Sequence, residues 1–158
     1  MARLRSRAGR EFVLDAHGLT TLAAPTVLAA GWLEFIFEDF EDSRLWVPEL
    51  VVIESTSGGP SDANVNRFLK TLDDPRHPGR SWLSHERQDL SRAAALRHDA
   101  AAAGRDRISA TDALIVAMSE RLSMRRGVTI LTSDPGDLSA LMAQTGRSNM
   151  TIAVVDRA

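Results

Sequence analysis

A three-layer α/β domain, with a central, mostly parallel sheet between helices, is the fold class this sequence predicts. Three observations predict it. Short apolar runs rich in β-branched residues alternate with helical patterns along the chain, the last two of those runs flank a helix, and no internal repeat or low-complexity linker divides the sequence. Strands separated by helices become parallel neighbours, and the helices then cover both faces of the sheet. At 158 residues the chain has the length of one domain. A chain of that size buries roughly 70% of its unfolded surface.

Residues 1–10 form a basic N-terminal arm carrying Arg3, Arg5, Arg7 and Arg10, ahead of a single domain over 11–158. Residues 11–17, EFVLDAH, are a short strand pattern bounded by Gly18. Residues 26–40 place Val27, Leu28, Trp32, Leu33, Phe35, Ile36 and Phe40 in a helical stripe, with Glu34, Glu38 and Glu41 opposite. Phe37 lies off the face shared by Leu33, Ile36 and Phe40, which predicts apolar surface left over for a partner. Residues 44–56, RLWVPELVVIEST, are ambiguous: the β-branched run favours a strand, while Pro48 suits the first turn of a helix. Residues 62–72 put Val65, Phe68, Leu69 and Leu72 on one helical face, and 73–81, DDPRHPGRS, read as a proline-glycine loop. The alanine-rich stretch 85–104 is a helix stopped by Gly104. A second strong helix spans 109–122, with Leu114, Ala117, Met118 and Leu122 facing inward. VTILT (128–132) and TIAVVD (151–156) are buried strands flanking a helix that starts near Pro135.

Composition narrows the function classes. Hydrophobic residues make up 44% and charged residues 25%, an ordinary balance for a globular domain. The absence of cysteine excludes disulfides, thiolate zinc sites and a cysteine nucleophile, so any metal must be held by oxygen or imidazole. No segment reaches the ~18 apolar residues of a membrane span. No long apolar stretch follows the basic N-terminus as a secretory signal requires, and the expected location is the cytoplasm. The net charge of −2 does not itself point to nucleic acid, although the cations are 18 arginines and only Lys70, and arginine's planar fork suits phosphate.

The stretch VTILTSDPGDL (128–138) ends a β-rich run in two aspartates around a proline and a glycine. Asp134 has a local explanation as a helix N-cap before Pro135, and a chemical one as a carboxylate at a strand's carboxyl end. Asp112 with Ser109 reads as a capping pair. Glu54, among Val52, Ile53 and Ser55, and Asp15, directly after Phe12–Leu14, are harder to explain structurally, since an unpartnered carboxylate is costly to bury.

VLDAHGL, VPELVVIES, ATDALIVA and ILTSDPGDL occur in the order and spacing of PIN-domain ribonucleases, and the whole resembles the VapC-type toxins of bacterial toxin–antitoxin pairs. Each motif is short and degenerate; four in order over nearly the full chain after the arm are more specific. The resemblance implies a PIN-like α/β/α fold and puts Glu54 on a helix after Pro48. It matches the four family acids to Asp15, Glu54, Asp112 and Asp134, adds Asp137 as an accompanying acid, and gives Thr132 the hydroxyl position of the threonine-x-aspartate turn. The sequence departs from the pattern at His17, where a small hydroxyl residue is common.

The ligand types set the expected chemistry. Clustered carboxylates without soft ligands suit Mg²⁺ or Mn²⁺. Asp15, Glu54, Asp112, Asp134 and Asp137 would hold the metal, with Thr132, His17 and Arg107 near substrate, for hydrolysis of RNA phosphodiesters. Setting those five acids aside moves the net charge from −2 to +3, so the remaining surface need not repel RNA. Expected partners are the RNA substrate, a cognate antitoxin and a second copy of the chain in a homodimer. A phosphate-receiver domain would need a lysine on a late strand, and a dehalogenase-type phosphatase an aspartate where His17 stands. The alternative outside enzymology is an inactive PIN-like protein- or RNA-binding module.

Overall fold

A computed structural model describes residues 8–59 and 62–156. Five strands, β1 (Arg10–Leu14), β2 (Arg44–Pro48), β3 (Arg80–Leu83), β4 (Gly127–Thr132) and β5 (Met150–Val154), form one sheet in the order β3-β2-β1-β4-β5. Every neighbouring pair is parallel, with Val13 registered against Trp46 on one side and Ile130 on the other. Seven helices complete the described chain: α1 (Ala16–Ala23), α2 (Val27–Glu38), α3 (Glu49–Ser55), α4 (Asp62–Leu69), α5 (Arg87–Ala102), α6 (Ala110–Ser123) and α7 (Gly136–Thr145). The domain is α/β, as the alternation of patterns predicts.

The ambiguous segment divides at Pro48. The proline closes β2, and Glu49 opens α3 with a carboxylate in the first turn, where the helix dipole favours it. Tertiary contact overrides the β propensity of Val51–Ile53: Val51 is fully buried, whereas Ile53 remains 80% exposed. Two elements escape the sequence reading. Helix α1 is one, capped by Asp15, and β3 is the other, only four residues long, with Arg80 and Ser81 belonging to the strand and not to the proline-glycine loop read over 73–81. Gly104, with φ of 93°, stops α5 as expected.

The arm boundary also needs correction. Arg3, Arg5 and Arg7 lie outside the described residues, but Arg10 is the first residue of β1. Its guanidinium donates to the Thr129 hydroxyl at 2.5 Å, the Thr151 hydroxyl at 2.7 Å and the Val128 carbonyl at 3.1 Å.

The aromatic stripe on α2 is largely consumed by the domain's own core. Phe12, Phe35 and Phe40 pack edge to face, with Phe12–Phe40 and Phe35–Phe40 centroids 5.3 Å apart, and Trp32 extends the cluster to Phe35 at 5.7 Å. Phe37 is not left bare, contrary to expectation. It is half-buried against Gly79, and the Arg80 guanidinium lies 5.7 Å from its ring centroid. The loop before β3, unassigned as structure in the sequence, supplies that cover. Among the described residues no single helix is long and apolar enough to cross a membrane; α1 and α2 pass that test only as a pair bent by 106°.

Candidate active site

The strand order reverses at β1. The chain leaves β1 toward β2 and β3, and later returns to place β4 on the other flank, so a crevice opens outside the carboxyl ends of β1 and β4. Asp15 follows β1 directly and is only 5% exposed. Its amide donates to the Leu131 carbonyl of β4 at 3.3 Å, and its Oδ1 accepts the Gly18 amide at 2.6 Å, capping α1. Gly18 is the residue that permits this seat. A Cβ there would overlap the Leu131 carbonyl oxygen and stand 3.1 Å from its carbon and 3.2 Å from Asp15 Oδ1. The sequence offered a signal for it, a glycine three residues after a strand-ending aspartate, but not the reason.

On β4, Thr132 is fully buried and its hydroxyl ties down the next turn, accepting from the Asp134 amide at 3.0 Å and donating to the Asp134 carbonyl at 3.2 Å. The Asp134 carboxylate is exposed. It accepts the Gly136 amide only at 3.4 Å, and the N-cap of α7 is Pro135 with no side-chain cap hydrogen bond, so the local explanation of Asp134 as a helix N-cap does not hold. Asp112 stands in the first turn of α6. The Ser109 hydroxyl accepts its amide at 3.0 Å, but among the described residues the return bond of a capping box, from the Ser109 amide to the Asp112 carboxylate, is not made. It is made in α5, between Glu86 and Asp89. Capping therefore accounts for Ser109 and leaves the Asp112 carboxylate to other uses.

Electrostatics tie these acids into one group. Burial pushes the Asp15 carboxyl above its ordinary value, and the Asp134 charge adds to the rise. The Thr132 hydroxyl, the Gly18 amide and the neighbouring His17 oppose it. Burial likewise raises the Asp112 carboxyl against the Ser109 hydroxyl, and Asp15, Asp137 and Glu54 all push in the same upward direction. Glu54, in the last turn of α3, is exposed, so the expected cost of burying it does not arise. Packing of α3 on α1 instead carries it to the site: Ser55, next to Glu54, donates to the Val51 carbonyl at 2.7 Å and to Ala16, the first residue of α1, at 3.3 Å.

Asp137 has a partner the sequence did not disclose. Arg105, on the α5–α6 connection, reaches Asp137 Oδ1 with Nη2 at 3.0 Å and Nε at 3.3 Å, and a Cβ on Gly136 would meet the same Nη2 at 3.2 Å. Arg107 is exposed and has no ion pair or side-chain hydrogen bond among the described residues. His17 is exposed in the first turn of α1. Among the described residues, no three carboxylate or imidazole side chains stand close enough together to enclose a cation as they are.

No protein-family model matches the sequence, and no curated protein matches it. Solved structures do match. FitAcB from Neisseria gonorrhoeae is similar over 93% of this chain and 99% of its own, at TM-score 0.62 and 17% identity. VapBC2 from Rickettsia felis, bound to a DNA fragment from its promoter, is similar over 91% and 98%, at TM-score 0.63 and 12% identity. A toxin–antitoxin complex from Klebsiella pneumoniae is similar over 87% and 93%, at TM-score 0.55 and 15% identity. The chain has a PIN-like α/β fold, shared with these structures. In that PIN-like frame the five predicted acids gather at one end of the sheet, and the likeness to these structures is one of fold.

Proposed function

We propose that this PIN-like protein is a metal-dependent endoribonuclease, the toxin of a toxin–antitoxin pair. One observation carries the reading: two carboxyls, Asp15 and Asp112, are raised by burial at the switch point of a parallel sheet, and Glu54, Asp134 and Asp137 add their charges to them. A group of acids that repel one another in a half-dry crevice is poorly stable alone and favours a cation. The donor set is all oxygen, which fits Mg²⁺ or Mn²⁺ and no soft metal. Asp15, Glu54, Asp112 and Asp134 would hold the ion, with Asp137 as a further acid once Arg105 gives it up. Bound there, the ion would supply Lewis-acid polarisation of the phosphodiester and of a water molecule.

The remaining work belongs to the chain. The Gly18 amide fixes the Asp15 carboxylate in one orientation. The Thr132 hydroxyl holds the backbone of the turn that presents Asp134. Glu54, the most open of the acids on the β1 side, is suited to accept a proton from the attacking water, and Arg107, without an ion pair or side-chain hydrogen bond among the described residues, is suited to a substrate phosphate. One of the similar structures is described as a toxin–antitoxin complex, and the FitAB and VapBC2 structures are bound to DNA, which supports an antitoxin as the protein partner here. Homodimerisation is proposed alongside it.

The test is substitution. Asp15→Asn, Glu54→Gln, Asp112→Asn and Asp134→Asn should each abolish RNA cleavage and weaken Mg²⁺ or Mn²⁺ binding measured by calorimetry, while circular dichroism stays native. Asp137→Asn should have a smaller effect. Near-native cleavage by the Asp15, Glu54 or Asp112 variant would remove this assignment.

A further inference from the structure

A groove of about 640 Å³ runs along β2 and β3 beside the end of α6. Its lining contains four arginines, Arg44, Arg121, Arg125 and Arg126, against one carboxylate, Glu11, in a chain whose net charge is −2. Glu11 is already engaged: it accepts the Trp46 indole N–H at 2.5 Å and lies 3.9 Å from Arg126. Arg121 is engaged too, by Asp89 at 2.9 Å. Arg44 and Arg125 are not. Both are exposed, Arg44 touches only the Trp46 ring at 5.8 Å, and Arg125 has no side-chain partner among the described residues. The groove therefore presents uncompensated guanidinium groups beside two half-buried indoles, Trp46 and Trp82.

Guanidinium groups and flat aromatic rings side by side match a single-stranded nucleic acid, whose phosphates take the charge and whose bases stack on the rings. An acidic protein segment would use the arginines but has no comparable need for two indoles. The groove starts at the amino ends of β2 and β4, where Arg44 and Arg125 stand, and reaches Leu83 and Ser84 at the carboxyl end of β3. Trp82 lines it and also lines a second hollow, of about 390 Å³, with Glu49, Val52 and Ile53, and Glu54 follows on the same helix.

We propose that this groove binds the single-stranded flank of the RNA substrate, with Arg44 and Arg125 on phosphates and Trp82 and Trp46 under bases, and delivers the strand around the β3 edge to Glu54. The inference rests on the ribonuclease reading, and the experiment separates the two. The probe is a fluorescein-labelled 12-nucleotide oligouridine in EDTA, titrated with the full chain at several salt concentrations and followed by anisotropy and tryptophan quenching.

The wild type should bind with quenching. Arg44→Gln with Arg125→Gln should lower the magnitude of the slope of log K against log salt by about 1.4, two single-strand phosphate contacts. Trp82→Leu should weaken binding by roughly tenfold and reduce the quenching. With Mg²⁺ or Mn²⁺ restored, the double arginine variant should lose efficiency on long RNAs through KM and keep kcat. A double variant with unchanged affinity and salt slope overturns the groove, as does oligouridine binding that polyglutamate abolishes in the wild type and the double variant alike. If wild type cleaves RNA while the groove variants match it on long substrates, the groove fails and the nuclease reading stands. If the groove variants lose binding but wild type cleaves nothing with either metal, the groove stands and the nuclease reading fails.

Discussion

Replacing Gly18 with alanine tests the seat of Asp15 by geometry alone. The added methyl overlaps the Leu131 carbonyl oxygen and would lie 3.1 Å from its carbon and 3.2 Å from Asp15 Oδ1. Neither neighbour is the tip of a flexible side chain: one is the backbone of β4, the other the carboxylate that caps α1. The first turn of α1 must therefore move off β4 by about 1 Å, and overpacking of this kind costs about 1–3 kcal/mol. For a domain of this size each kcal/mol is about 2–4 °C, so the melting temperature should fall by roughly 2–12 °C. The same displacement separates Asp15 from Thr132 and Asp134, and a 1 Å misplacement in a catalytic group costs about 10²-fold in rate. Gly31→Ala is the internal control. Gly31 lies inside α2 with nothing within 4 Å of its Cβ position, so alanine there should stabilise by about 0.5–1 kcal/mol. Thermal melts by circular dichroism and RNA cleavage rates read both outcomes. A Gly18→Ala protein with native melting temperature and native cleavage would refute the close apposition of α1 and β4 on which the site is built.

The pH dependence of stability is set by the same crevice. Because the folded Asp15 carboxyl is raised above the ordinary 3.8, the folded state holds more protons than the unfolded state between that value and the raised one, so metal-free stability falls as pH rises through that window. Asp15→Asn keeps the cap and removes the charge; melts in EDTA should show it more stable than wild type at pH 7 and without that advantage below pH 3.8. Arg105→Gln releases Asp137 from an exposed pair, so stability should change by less than about 1 kcal/mol, while Mg²⁺ titrations should show tighter binding; unchanged or weaker binding would rule out competition between Arg105 and the ion. Phe37→Asp should act as a folding mutation, costing about 1–3 kcal/mol through lost packing on Gly79 and Arg80. Ile53→Asp, at 80% exposure, should leave the melting point within about 0.5 kcal/mol and instead weaken self-association or antitoxin binding. Native oligomeric mass and antitoxin inhibition for Ile53→Asp would exclude that face.

Much of this architecture was legible in the sequence because its elements bury one clear face. The run VTILT and the alanine-rich helix give strong periodic signals, and strand–helix alternation leads directly to a parallel sheet. Helix α1 was hidden because Gly18, Thr20 and Thr21 are weak helix formers, and the cap from Asp15 with packing against α3 and β4 makes up the difference. Strand β3 was hidden by its brevity and by the proline-glycine loop before it, and with it went the cover over Phe37. Among the site residues, the four acids stood out as carboxylates ending apolar runs or opening helices. The Gly18 contact, the Arg105–Asp137 pair and the exposure of Glu54 depend on which elements meet in three dimensions, and no local pattern records that.

The most direct measurement of the central claim is incubation of the purified protein with structured RNAs, with Mg²⁺, with Mn²⁺ and with EDTA, with Asp112→Asn run beside it. A metal-dependent nuclease with Asp112 in its site should cut at discrete internal positions with either ion or both, stop in EDTA, recover when the ion is restored, and show no cleavage in the variant. Cleavage that persists in EDTA, equal cleavage by the Asp112 variant, or intact RNA under every condition from a folded protein that binds the metal would contradict it, the last result leaving a PIN-like binding module in place of an enzyme.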